Sequence, residues 1–202
     1  LKIVSDGIEY KKIKKFLYLS SDAVYTDTKK KINEFSATDP KSLHGIMHLL
    51  REDYFKNCYR DKVCIVRPTL IYGPDDPHSG YGPNKFIRDI KNKKKINIFG
   101  KGEELRDHIF IDDVAKLITK FILNNFFGII NLATGRITSF RKIAYIVKKI
   151  SNLKIPFKYL KRTGPMPHLG YRSFDIKKLK RITNNYKMIS LNQGIEKNFK
   201  YY

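Results

Sequence analysis

The stretch Phe16-Leu-Tyr-Leu-Ser-Ser-Asp-Ala-Val-Tyr25 decides how this 202-residue chain folds. Its four apolar and aromatic residues are too few for a helix, and they end in two serines and an aspartate. A buried parallel strand reads this way when it delivers polar side chains at its carboxyl end. Upstream, Leu1, Val4, Ile8 and Ile13 carry helical spacing among lysines, which predicts a helix over residues 1–14. Downstream, residues 42–58 return to helical spacing through Leu43, Met47, Leu50 and Tyr54. Val63-Cys64-Ile65-Val66 is a second buried strand, closed by Arg67-Pro68.

Farther out, a Gly- and Pro-rich loop spans residues 72–84, and a helix follows over 85–93. Short strands are expected at 96–99 and 108–111. Asp112 or Asp113 should cap a helix that reaches residue 124. Residues 129–132 supply a third buried strand, and Ser139 starts another helix. A proline–glycine loop at 163–171 and a short helix after Asp175 make the tail. Strand and helix alternate, so the fold class is α/β, with a parallel sheet covered by helices on both faces. Sites in such sheets lie at the carboxyl ends of the strands. Those ends are Ser20-Ser21-Asp22, Arg67-Pro68-Thr69 and Ala133-Thr134-Gly135.

Hydrophobic and charged fractions of 42% and 30% fit a soluble globular chain rather than a disordered one. The most apolar run, residues 121–133, is broken by Asn124, Asn125 and Asn131, so no membrane span is expected. Lysines interrupt residues 1–15 and no small-residue cleavage site follows, which argues against a secretory signal. Cys58 and Cys64 make neither a disulfide framework nor a zinc site, and read as reduced thiols of a cytoplasmic protein. The formal charge of +22 invites a nucleic-acid reading. Against it, 31 of the 41 basic residues are lysines, scattered in short clusters without interleaved aromatics. A positive surface suits anionic small substrates such as diphosphates and raises their encounter rate.

Four ordered segments carry a family resemblance. The stretch 16–25 resembles the catalytic-serine strand of extended short-chain dehydrogenases, in the NAD-dependent epimerase/dehydratase family that acts on nucleotide sugars. Arg67-Pro-Thr-Leu-Ile-Tyr-Gly-Pro74 is similar to the segment lining the nicotinamide pocket there. Gly100-Lys-Gly-Glu-Glu-Leu-Arg-Asp-His-Ile-Phe-Ile-Asp-Asp-Val-Ala115 resembles the substrate-domain hairpin and the helix after it, and Asn131-Leu-Ala-Thr-Gly135 the last parallel strand. The resemblance implies a partial Rossmann doubly wound sheet with a small mixed carboxy-terminal substrate lobe. It divides the chain into residues 1–74 (Rossmann part), 75–128 (largely substrate lobe with a returning helix), 129–150 (last Rossmann strand and helix) and 151–202 (substrate lobe and tail). The implied activity is NAD- or NADP-dependent epimerisation or oxidoreduction of a nucleotide sugar. The alternative is a non-catalytic sugar-nucleotide binding protein derived from such an enzyme.

The resemblance also assigns residues. Ser21 would orient the reacting sugar oxygen, with Asp22 beside it. Ser20, Pro68, Thr69 and His48 would meet the cofactor, while Asn84, Arg106 and Arg172 would meet the substrate. The family's Tyr-x-x-x-Lys pair falls on Ser42-Leu-His44-Gly-Ile-Met-His48, where both positions are histidine. The i, i+4 spacing keeps the two side chains on one helix face. Three readings stand: His44 as acid/base with His48 on the ribose, a degenerate remnant that binds without turnover, or a metal chelate. The last lacks the intervening Glu and any evident third ligand, so no metal is expected. Gly100-Lys-Gly102 lies between two strands and reads as a hairpin turn, not a dinucleotide loop. No Gly-x-x-Gly-x-x-Gly occurs in these residues. By comparison with the family, the first three strand–helix units are then missing, and the fragment should be marginally stable unless its open edge is covered. Helices 1–14 and 42–58 correspond to the family's dimer interface, which implies a homodimer.

Overall fold

The computed structural model describes residues 12–76 and 80–202, so the helix expected over 1–14 lies almost wholly outside the described residues. A parallel three-stranded sheet in the order β1-β2-β6 holds β1 (Phe16–Leu19), β2 (Val63–Pro68) and β6 (Gly128–Leu132). All six residues of β2 are buried. Its alternation divides the core. Val63 and Ile65 pack with Phe55 and Tyr59 of helix α1 (Leu43–Tyr59), whereas Cys64 and Val66 pack with Val114, Leu117 and Phe121 of α3 (Ile111–Leu123). Helices therefore cover both faces, as the alternation of elements predicts. The side chains of β1 are only half-buried, and Leu19 is exposed. Sequence pattern alone expects a buried strand there. Among the described residues β2 is the one strand paired with β1, so β1 is an edge.

The second lobe is mixed. The carboxyl half of β5 (Leu105–Phe110) pairs in parallel with β3 (Leu70–Tyr72). Its amino half pairs antiparallel with β7 (Ile137–Ser139) and parallel with β9 (Tyr171–Arg172). Strand β4 (Ile96–Phe99) pairs with β8 (Phe157–Leu160) instead. This corrects the expected hairpin: Gly100 and Gly102, both at positive φ, turn the chain between two different sheets. The turn is fixed by Gly102 N donating to Phe99 O at 3.0 Å and Lys101 N donating to the Glu103 carboxylate at 2.8 Å. The lobe's core is Phe86, Ile87 and Ile90 of α2 (Pro83–Lys91) against Ile96, Ile98 and the buried face of α4 (Phe140–Ser151).

Helix ends follow the local chemistry. Ser42 caps α1 and Ser139 caps α4, each hydroxyl accepting a backbone N–H of the first turn at 3.1 and 3.2 Å. Neither Asp112 nor Asp113 caps α3. Its cap is Phe110 without a side-chain bond, and the Asp113 carboxylate instead accepts Tyr186 Oη and Ile189 N, both at 2.9 Å, to hold the tail. The short helix after Asp175 is α5 (Lys177–Ile182). The last helix, α6 (Leu191–Tyr201), escapes a sequence reading because its apolar stripe is only Leu191, Ile195 and Phe199 among polar residues.

His108 on β5 is buried between Phe140 and Tyr72, with ring centroids at 5.6 and 6.4 Å. Among the described residues neither ring nitrogen has a hydrogen-bond partner. Burial pushes its pKa down to about 4. An unfolded chain therefore binds a proton here that the folded chain refuses between about pH 6.5 and 4. Stability should fall by roughly 3 kcal/mol from this group as pH drops from 7 to 4, at about 1.4 kcal/mol per unit. Urea unfolding at both pH values should show the His108→Phe variant losing that much less than the parent. Equal losses in the two proteins would contradict it.

Candidate active site

The site begins where β1 ends. Ser21 caps a 3-10 turn, Asp22–Val24, and its Oγ accepts Ala23 N at 3.1 Å. The first turn of α1 arrives directly opposite. His44 Nε2 lies 3.3 Å from Ser21 Oγ, and the His44 and His48 rings meet edge to face at 4.5 Å. The structure therefore brings together Ser21, His44 and His48. Tyr18 Oη lies 2.8 Å from His48 Nδ1. Burial raises the Tyr18 pKa, so the phenol keeps its proton and can donate it to Nδ1. Burial, and then the neighbouring His44, lower the His48 pKa, which favours a neutral ring carrying its proton on Nε2.

Gly45 makes this approach possible. A Cβ there would fall against the Ala23 carbonyl oxygen and within 2.7 Å of Pro40 Cβ. Gly45→Ala should push α1 off the Ser21 turn, costing about 1–3 kcal/mol, as overpacking does. Thermal unfolding reads that loss, and a variant as stable as the parent would refute the tight fit.

Beneath the site runs a buried polar network. Ser20 Oγ donates to Glu52 Oε1 at 2.6 Å, and Arg67 Nε donates to the same oxygen at 2.8 Å. The Arg67 guanidinium sits 4.7 Å over the Tyr25 ring, and Tyr25 Oη donates to Asn131 Oδ1 at 2.7 Å. The Ser20 hydroxyl is thus turned into the core. Pro68 closes β2 in the interior, and Thr69 Oγ1 donates to Asp107 O at 3.0 Å.

A cleft of about 370 Å³ opens beside Asp22 and Thr69 and runs to Arg106, Arg162, Arg172 and His168, with Tyr81, Phe99 and Phe140 as its apolar wall. Arg106 donates through Nε to Glu104 Oε1 at 2.9 Å and through Nη2 to Pro167 O at 2.8 Å. Arg172 is fully buried. It donates to Asp22 Oδ2 at 3.2 Å, to Thr26 O at 3.3 Å and to the Asp22 and Tyr25 carbonyls, so it ties β9 to the Ser21 turn. Asn84 is not in the cleft wall. Its amide donates to Asp76 Oδ2 at 2.7 Å while Oδ1 accepts Gly73 N at 3.2 Å and Asn198 Nδ2 at 2.7 Å, fastening the loop after β3 to α6. Sequence reasoning missed Tyr81, Arg162, Phe140 and His168. The usable signal was position: Arg162 precedes the proline–glycine loop and His168 lies within it.

The residues present fit the nicotinamide end of a dinucleotide. His48 Nε2 has no partner among the described residues, and the exposed Leu70 follows Thr69 as an apolar surface. The described residues do not include the Gly-x-x-Gly-x-x-Gly turn that cradles a pyrophosphate: between β3 and α2, Gly73 and Gly82, the latter capping α2, stand nine positions apart. Among the described residues no group of three or more His, Cys, Asp or Glu could hold a metal ion, and no helix is long and apolar enough to cross a membrane.

Parallel strands with polar carboxyl ends beside an arginine-lined cleft define an α/β protein with a candidate ligand site. Comparison with known proteins narrows the class. Residues 4–133 match the model of the NAD dependent epimerase/dehydratase family, and the chain belongs to that family. It is 25% identical over 195 residues to an uncharacterized UDP-glucose epimerase of Bacillus subtilis, covering 94% of this chain and 60% of that protein. It is 32% identical over 162 residues to the dTDP-D-glucose 4,6-dehydratase of Dictyostelium discoideum, covering 71% of this chain and 36% of that one. Among solved structures, the UDP-glucuronic acid 4-epimerase of Bacillus cereus, in complex with UDP-glucuronic acid and NAD, superposes with a TM-score of 0.82 at 25% identity. That match covers 95% of this chain and 62% of the epimerase. The UDP-glucose 4-epimerase of Thermotoga maritima, with UDP-glucose, shares the fold at a TM-score of 0.83 and 24% identity, covering 95% of this chain and 64% of that one. The chain thus spans less than two thirds of the length of these relatives.

Proposed function

We propose that this chain binds a nucleoside-diphosphate sugar in the arginine-lined cleft and performs the proton-transfer part of an NAD(P)-dependent epimerisation or oxidoreduction. The observation that carries this reading is the 3.3 Å approach of His44 Nε2 to Ser21 Oγ beside that cleft. Ser21 orients a sugar hydroxyl, and His44, exposed at the mouth, takes or returns its proton. His48, held by Tyr18, donates from Nε2 to a ribose hydroxyl. Arg106 and Arg162 hold the diphosphate, and the aromatic wall receives the base. A nicotinamide, when bound, supplies and takes back hydride.

The exposed side chains of Leu43, Ile46, Met47 and Leu50 on α1 support a homodimer through that helix. We place the protein in the cytoplasm, and read the domain limits as residues 1–74, 75–128, 129–150 and 151–202. A second reading is favoured by the lowered pKa of His48. A neutral ring there offers no fixed cation to an acid/base group, which suits a sugar-nucleotide binder without turnover.

Incubation with NAD and UDP-glucose or UDP-glucuronic acid, followed by anion-exchange chromatography, tests the enzymatic reading. A C4 epimer or an oxidised sugar is the expected product. Binding of the nucleotide sugar without conversion, relieved only by His44→Tyr with His48→Lys, would replace it with the second reading.

A further inference from the structure

The cleft already contains an anion of its own. Glu104 lies in the turn ahead of β5, is 4% exposed, and shares its carboxylate between two arginines that line the cleft. Oε1 accepts Arg106 Nε at 2.9 Å and Arg106 Nη2, and Oε2 accepts Arg162 Nη2 at 3.3 Å. Arg172 is matched in the same way by Asp22 and Asp27, at 3.2 and 3.5 Å. Each of the three cleft guanidinium groups thus already has a carboxylate partner within the protein.

Resting on the nucleotide-sugar reading, we propose that Glu104 is an internal counter-anion that occupies the charge-binding capacity of Arg106 and Arg162 and sets the affinity of the cleft for a diphosphate. An incoming dianion meets one of two costs. If Glu104 stays in contact with the arginines, like charges crowd together in a poorly solvated pocket. If the arginine forks turn to the phosphates, a buried carboxylate loses the charge-assisted hydrogen bonds that offset its burial. Either way the diphosphate gains less than the two arginines could give. Glutamine has the same shape and keeps a carbonyl oxygen for Arg106 Nε, but carries no charge. Glu104→Gln therefore leaves the arginines positioned and removes the competitor.

Calorimetric titration of UDP into the 202-residue chain and into Glu104→Gln tests this, with Arg106→Ala as the reference for the diphosphate contact and uridine as a probe without phosphate. The expected result is UDP binding at least tenfold tighter in Glu104→Gln, uridine binding the same in both proteins, and UDP binding weakened in Arg106→Ala. Equal or weaker UDP binding in a folded Glu104→Gln, with Arg106→Ala still impaired, overturns the counter-anion and leaves the nucleotide-sugar reading standing. If neither the parent nor the variant binds UDP, both fall. A gain for uridine as large as that for UDP would show that Glu104 acts on the shape of the lobe and would also overturn the proposal.

Discussion

Replacing His44 by alanine should lower turnover of the nucleotide sugar by about 10²–10⁴-fold, the usual contribution of a positioned acid/base group. Affinity for the nucleotide should change little, because Arg106 and Arg162 line the cleft and His44 is not among its lining residues. The split between kcat and KM is informative. His44 is exposed and carries no core packing, so its loss cannot act through the fold. Its one polar contact among the described residues is the 3.3 Å approach to Ser21 Oγ, a long hydrogen bond of the kind that tightens in a substrate complex. An imidazole suits the task at neutral pH without the neighbouring cation that a phenol needs to reach the same range. Steady-state kinetics of His44→Ala against the parent decides the point. Unchanged kcat would remove His44 from the chemistry.

The largest stability effect should come from Glu52. Its carboxylate is fully buried, two turns of α1 beyond His44, and accepts from Arg67 at 2.8 Å and from Ser20 at 2.6 Å. Arg67 is buried as well, on the central strand β2. Removing one member of such a pair leaves the other charge desolvated and unmatched, so Glu52→Ala should cost about 3–5 kcal/mol. Equilibrium unfolding in urea measures it. Folding stability within about 1 kcal/mol of the parent would show that water reaches Arg67 and replaces the partner. Function would suffer too, because the network fixes β1, α1 and β2 relative to one another, and those elements carry Ser21, His44 and Thr69.

The Rossmann half was legible because its strands are short apolar runs that end in polar residues, and Phe16–Leu19 and Val63–Pro68 stand close to where those runs predict. The pairing of the second lobe was not legible. Strands β4 and β5 follow one another across a glycine turn, which reads as a hairpin, yet their partners come from residues 137–172. Local pattern carries no information on such distant pairing. The Ser21–His44 meeting was legible through the family resemblance, which assigned both residues to one site; spacing alone placed only His44 and His48 on one helix face. The roles of Asn84 and Arg172 read differently in three dimensions: both are polar residues of loop or edge segments in sequence, and both spend their hydrogen bonds on backbone and side chains of the protein. Glu104 was not legible as part of the site, because nothing local reveals that Arg162, 58 residues on, shares its carboxylate.

Where the sugar lies decides whether His44 can act on it, and the chain's five histidines report on that position directly. Nitrogen-15 labelling of the imidazoles, with ring resonances followed as UDP-glucose is added, would place the ligand. The His44 and His168 resonances should shift with one saturation curve, while His108, buried behind Phe140 and not itself a lining residue of the cleft, should shift least. Saturable binding that leaves the His44 ring untouched would contradict it, since the sugar would then sit away from the Ser21–His44 pair.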